Sequence, residues 1–125
     1  MSTKVTIEEG LKRVVVTVLP RPQTVTVADT VLRQLARRPE LGGWDWILDI
    51  RAPHEKATPE ELDLIAAAFN AARSKQSYTI FISEDPIAFE RCRIMDVKFH
   101  DRRHLVAKDM EAAQALIPRT MPRVF

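Results

Sequence analysis

The sequence predicts an α/β fold in the order β-β-α-β-α-β-α-β-α. Its sheet is mainly parallel and five-stranded, with an antiparallel edge strand and helices packed on it. Three observations carry this. Short runs rich in Val, Ile and aromatic residues alternate along the chain with stretches whose apolar residues recur at intervals of three and four. The first two β-rich runs are separated by Glu9-Gly10, which supplies a hairpin turn. The length of 125 residues, 46% apolar and 29% charged, is the size and balance of one folded domain with its own core.

The elements follow in order. Val5 and Ile7 alternate with Lys4, Thr6 and Glu8, a half-buried strand. Leu11 to Leu19 is the second strand, and its valine run Val14-Val15-Val16 predicts cover on both faces. Pro20 and Pro22 end it, because neither can donate to a ladder. Thr26 to Arg38 reads as a helix with Val27, Val31, Leu32 and Leu35 on one face; Pro39 and Gly42-Gly43 break it. In Trp44 to Ile50 one face takes Trp44, Trp46, Leu48 and Ile50, the other Asp45, Ile47 and Asp49.

Arg51 to Ala57 is a loop. Thr58-Pro59-Glu60-Glu61 is a helix start: Thr58 caps, Pro59 takes the first helical position and Glu61 stands three after the cap. That helix runs to about Arg73 with Leu62, Ile65, Ala66 and Phe69 inward. Tyr78 to Ser83 is a strand, and Ser83-Glu84-Asp85-Pro86 opens a third helix whose apolar side is Ile87, Ala88, Cys92, Met95 and Phe99. Leu105 to Ala107 is a short last strand, and Met110 to Ile117 a last helix stopped by Pro118. Residues 1–118 form a single domain, and 119–125 a loosely held tail.

Composition excludes several functions. One cysteine allows neither an internal disulfide nor a cysteine-rich zinc site. A net charge of +2 is no electrostatic footprint for nucleic acid. The longest apolar run, Leu64 to Phe69, falls far short of the roughly 20 residues of a membrane span. The opening residues run into Glu8 and Glu9 without an apolar signal region, so a cytoplasmic location is expected.

The element order and several local words resemble the STAS-like proteins of the bacterial SpoIIAA-like type, small domains related to anti-sigma factor antagonists. The words are the hairpin around Glu9-Gly10, the strand Trp46-Ile47-Leu48-Asp49-Ile50-Arg51, the helix start Thr58-Pro59, the stretch Tyr78 to Ser83 leading into Asp85-Pro86-Ile87-Ala88-Phe89, and the ending Val106 to Ile117. The likeness spans Val5 to Ile117, and some relatives are described as similar to the CRAL-TRIO lipid-binding domains. It implies regulation by protein contact rather than catalysis. In the antagonists a serine at the start of the helix after the third strand is phosphorylated, within Asp-Ser-Ser-Gly. Here that stretch reads Lys56-Ala57-Thr58-Pro59, so Thr58 is the one candidate phosphosite, and the Asp and Gly are missing.

Candidate groups divide into three sets. Asp49, Arg51, His54, Ser83 and Asp85 lie at or just past the carboxyl ends of strands, where open α/β sheets bind ligands. Asp49, His54 and Ser83 have the chemistry of a hydrolytic triad, but Ser83 lacks a nucleophile elbow and reads as a helix cap. Arg33, Arg37, Arg91, Lys98, Arg102 and Arg103 are the candidate basic docking face. His100 and His104 have zinc-ligand spacing, but Arg102 and Arg103 between them place the pair in a basic surface loop with no metal. Cys92 reads as a buried structural thiol. The expected function is therefore a non-catalytic regulatory or partner-binding domain without a cofactor, with a homodimer open. The alternative is a small carrier or sensor of a lipid or apolar ligand, with a cavity between the third helix and the sheet around Phe81, Phe89, Cys92 and Met95. A hydrolase at the edge formed by Asp49, His54 and Ser83 comes third.

Overall fold

The protein's structure, a computed structural model, describes residues 3–20, 25–72 and 76–117. Its strands are β1 (Thr3–Glu8), β2 (Arg13–Val18), β3 (Asp45–Asp49), β4 (Ser77–Ile82) and β5 (Arg102–Ala107). Its helices are α1 (Val27–Arg37), α2 (Pro59–Ala71), α3 (Ala88–Lys98) and α4 (Met110–Leu116). The sheet runs β1-β2-β3-β4-β5 in sequence order. β1 is antiparallel to β2, and all other neighbours are parallel. This is the α/β plan that the alternating periodicities predict.

Sequential order has a consequence for the layers. Crossovers of one hand that always step in the same direction leave all crossover helices on the same face. α1, α2 and α3 accordingly share a core with the face carrying Val14, Val16, Trp46, Leu48 and Phe81. The other face, with Ile47, Ile80 and Ile82, is covered by Ala113 and Ile117 of the α4 region. β3 and β4 are therefore buried on both sides, while Val15 of β2 is only partly covered.

Local chemistry explains the elements. Thr58 and Glu61 form a full capping box: the Glu61 N–H donates to Thr58 Oγ1 (3.1 Å) and the Thr58 N–H to Glu61 Oε1 (2.9 Å). Thr26 caps α1 by accepting from the Asp29 N–H, and Asp109 caps α4 by accepting from the Ala112 N–H. Pro39 to Gly43 forms a short 3-10 turn before β3. Trp46 is wholly buried, its indole N–H donating to the Leu41 carbonyl at 2.8 Å.

The structure corrects several boundaries. Leu11 belongs to a 3-10 turn rather than to β2, and Lys12 leaves that turn with a left-handed φ of 50°. α3 begins at Ala88, not at Ser83. The Ser83 hydroxyl accepts the Asp85 N–H and the Asp85 carboxylate accepts the Ile87 N–H, local bonds that hold 83–87 out of the helix. Ile87 is an exposed residue as a result, not part of the inward side. β5 starts three residues earlier than expected. A left-handed Asp101 closes the turn after α3, and Arg102 goes directly into the ladder. Pro22, Arg73, the stop at Pro118 and the tail 119–125 lie outside the described residues.

Candidate functional site

α1 and α2 pack on one another, whereas α3 leans on β5. The space left between α2, α3 and the sheet is a cavity of about 420 Å³. Its wall is mostly core side chains. Trp46, Leu48, Thr79, Phe81 and His104 come from the sheet, Leu62, Ile65 and Phe69 from α2, and Ile94 and Met95 from α3. Val27, Ala28 and Val31 of α1 and Phe99 after α3 also line it. The loop after β3 supplies the rim with His54, Glu55, Lys56 and Ala57, and Arg91 faces them from α3.

Register sets its depth. Leu48 and Phe81 stand opposite one another near the carboxyl ends of their strands; one layer below, Trp46, Thr79 and His104 form a row across β3, β4 and β5. Two residues of strand are roughly 7 Å, so the cavity enters at the carboxyl edge and reaches about halfway down the sheet. Its floor is aromatic. Trp46 meets Phe69 edge-on at 5.3 Å, Phe69 lies 5.5 Å from Phe99, and Phe99 meets His104 edge-on at 4.6 Å.

Beneath the floor lies Arg102, which corrects an expectation. Its place in a basic docking face is excluded by burial: it is 5% exposed. One guanidinium nitrogen donates to the Tyr78 carbonyl and Thr79 Oγ1, the other to the carbonyls of Gly42 and Trp44, at 2.7–2.9 Å. The charge also sits over the Phe69 ring, 4.5 Å from its centroid. Planar donors in a fixed fork let arginine satisfy this many carbonyls at once.

His104 also departs from its expected loop. It lies in β5 with 1% of its side chain exposed. Nδ1 is 3.0 Å from Asp96 Oδ1 of α3, and the same oxygen accepts the His104 N–H at 2.7 Å. Burial pushes the imidazole down to about 4; the Asp96 bond opposes this and the Arg102 charge adds to it. The ring is therefore neutral at pH 7. With Nδ1–H held by Asp96, Nε2 carries the lone pair. Nε2 has no hydrogen-bond partner among the described residues.

The expected edge residues do not assemble. The Asp49 carboxylate is held by Arg51 (2.7 Å), and that hydrogen bond keeps its pKa low against the effect of burial. His54 Nδ1 is 2.9 Å from the Ala52 carbonyl. Ser83 accepts the Asp85 N–H, and Asp85 pairs with Lys56 at 3.4 Å. Of this set only His54 borders the cavity. The basic residues do not form one face either. Arg33 and Arg37 line a cleft with Thr3 and Val5 at the β1 edge, whereas Arg91 and Lys98 ride on α3 at the β5 edge. Lys98 is bound to Asp63 at 2.6 Å, and Arg103 is exposed on β5. The carrier alternative requires a cavity between the third helix and the sheet; the structure has one, lined by Phe81 and Met95 but not by Phe89 or Cys92. Phe89 points outward and is 65% exposed. Cys92 is buried, and burial lifts its thiol to about 12. Among the described residues no cluster of three or more His, Cys, Asp or Glu could hold a metal ion.

Sequence reasoning missed Thr79 and Asp96 and placed His104 in a loop. The available signal was alternation: extended back to Arg102, β5 puts Arg102, His104 and Val106 on one face and Arg103, Leu105 and Ala107 on the other. Charge at 102 and 103 reads as solvent and hides it. Comparison with protein-family models, curated proteins and solved structures finds no match to this chain.

Proposed function

We propose that this protein binds a small apolar molecule, as a carrier or sensor, in the cavity between α2, α3 and the sheet. The observation that carries the reading is the cavity itself. Protein interiors are close-packed, with few voids larger than a water molecule. A space of about 420 Å³ walled mostly by core residues is in the range of small-molecule sites. At roughly 30 Å³ for a water-sized group, it accommodates on the order of a dozen heavy atoms. The resemblance in plan to lipid-binding domains supports the same reading, which is of a non-catalytic protein. The test is native mass spectrometry of protein purified from its source, together with binding of a fluorescent naphthalene sulfonate. Expected are a bound apolar species and probe fluorescence that Leu62→Trp, which intrudes on the cavity from α2, strongly weakens without lowering the melting temperature. Probe binding unchanged in Leu62→Trp overturns the reading.

A second reading, regulation by protein contact, draws on the outer side of α3. Phe89 and Val97, neither of which lines the cavity, are exposed there, Val97 by 83%, and exposed apolar patches mark contact sites. Its occupant would be a second copy of the chain. A dimer in light scattering that Val97→Glu converts to monomer supports it, and a wild-type monomer removes it. Phosphorylation of Thr58, the switch the family resemblance implies, would have to displace the bond that Thr58 Oγ1 accepts in the capping box.

A further inference from the structure

The cavity floor is not uniformly apolar, and its two polar groups are complementary. Thr79 and His104 stand directly across from one another on β4 and β5, both facing the cavity. Thr79 Oγ1 accepts from Arg102 Nη1 at 2.9 Å, so the hydroxyl hydrogen points elsewhere. His104 is fixed from the other side: Asp96 holds Nδ1, and the ring is stacked along Phe81 and edge-on to Phe99. Its lone pair is then at Nε2. Thr79 and His104 share no hydrogen bond with each other. A hydroxyl with a hydrogen to give and an imidazole nitrogen with a lone pair thus stand side by side on the wall at the deep end of a largely apolar cavity.

We infer that this pair is an anchor for a ligand hydroxyl, so that the ligand of this cavity is an alcohol or phenol bound with its oxygen at the floor. A hydroxyl is the smallest group that satisfies both: it donates to His104 Nε2 and accepts from the Thr79 hydroxyl. A carboxylate cannot donate to Nε2, and its charge would be desolvated among Trp46, Phe69 and Phe99. A hydrocarbon leaves both groups unpaired. The inference rests on the proposed binding function and specifies the chemistry of its ligand.

The experiment compares 1-decanol, decyl methyl ether, decane and decanoate as competitors of the naphthalene sulfonate probe at pH 7. The ether keeps the oxygen as an acceptor but has lost the donor. Expected is decanol binding about tenfold tighter than the ether and at least as much tighter than decane and decanoate. In His104→Phe, which keeps the ring and removes Nε2, decanol and its ether bind equally while decane is unaffected. Independently of any variant, decanol should move the ¹⁵N shift of His104 Nε2 and decane should not. Equal affinities for decanol and ether, an alcohol preference that survives His104→Phe, or decanoate binding tightest overturns the inference. Failure of all four to displace the probe in wild-type protein overturns the binding function instead.

Discussion

At the scale of single residues, burial decides the chemistry of the two most reactive side chains. Cys92 is a nucleophile only as thiolate, and burial keeps it protonated. Native protein should therefore resist iodoacetamide at pH 8 and react only once unfolded; rapid native alkylation would show that α3 does not cover it. His104 titrates near 4 when folded and near 6.5 when unfolded. Between those values the unfolded chain binds more protons, so stability falls as pH drops from about 6.5 to about 4 and this group contributes no slope above 6.5. The loss is on the order of 3 kcal/mol across that window. Urea unfolding of wild type and His104→Phe checks it: the variant should lose much of the slope between pH 6.5 and 4. Asp96 and Arg102, the charges closest to the ring, remain in both proteins.

At the scale of elements, close approach matters more than propensity. The turn Pro39–Gly43 presses on the end of α2, and a Cβ added at Gly42 would lie 2.8 Å from Ala72 Cβ. Gly42→Ala should cost about 1–3 kcal/mol by thermal unfolding, because the turn must move while its carbonyl is bound by Arg102. A neutral effect would show that the turn yields freely. The sequence displays Gly42-Gly43 as a helix breaker, but it cannot display what the turn touches. The same limit runs through the chain. Trp46, Leu48, Ile65 and Phe69 were legible as inward because periodicity is local. Thr58 was legible because a capping box is written in four consecutive residues. Arg102 and His104 were not, since the carbonyls and Asp96 that satisfy them come from other elements. The cavity that the carrier alternative requires lies beside α3, but Phe89 and Cys92 are not in its wall. α3 has no clean apolar stripe, so its sequence did not fix which side faces the sheet.

At the scale of the whole molecule, the sequential strand order removes the usual ligand crevice. Open α/β sheets bind at the point where crossovers diverge to opposite sides, and here every crossover steps the same way. That is why Asp49, His54 and Ser83 share an edge without meeting, and why the space lies between layers instead. The way in is at the carboxyl edge, between the loop after β3 and α3, and α3 is held chiefly by β5. Amide hydrogens of α3 should therefore exchange faster than those of α1, α2 and the central strands, and slow when decanol is bound. Equal protection of α3 and β3 would show a closed shell. The strand order also bears on how the chain is made. Each strand's partner is the one synthesised just before it, so the sheet can grow by accretion as the chain leaves the ribosome, with no gap awaiting a later strand. The second face is different: Ile47, Ile80 and Ile82 wait for Ala113 and Ile117, near the last residues described. Throughout translation a nearly finished sheet thus carries one bare apolar side, and a ribosome stalled before Met110 would release a nascent product primed to aggregate.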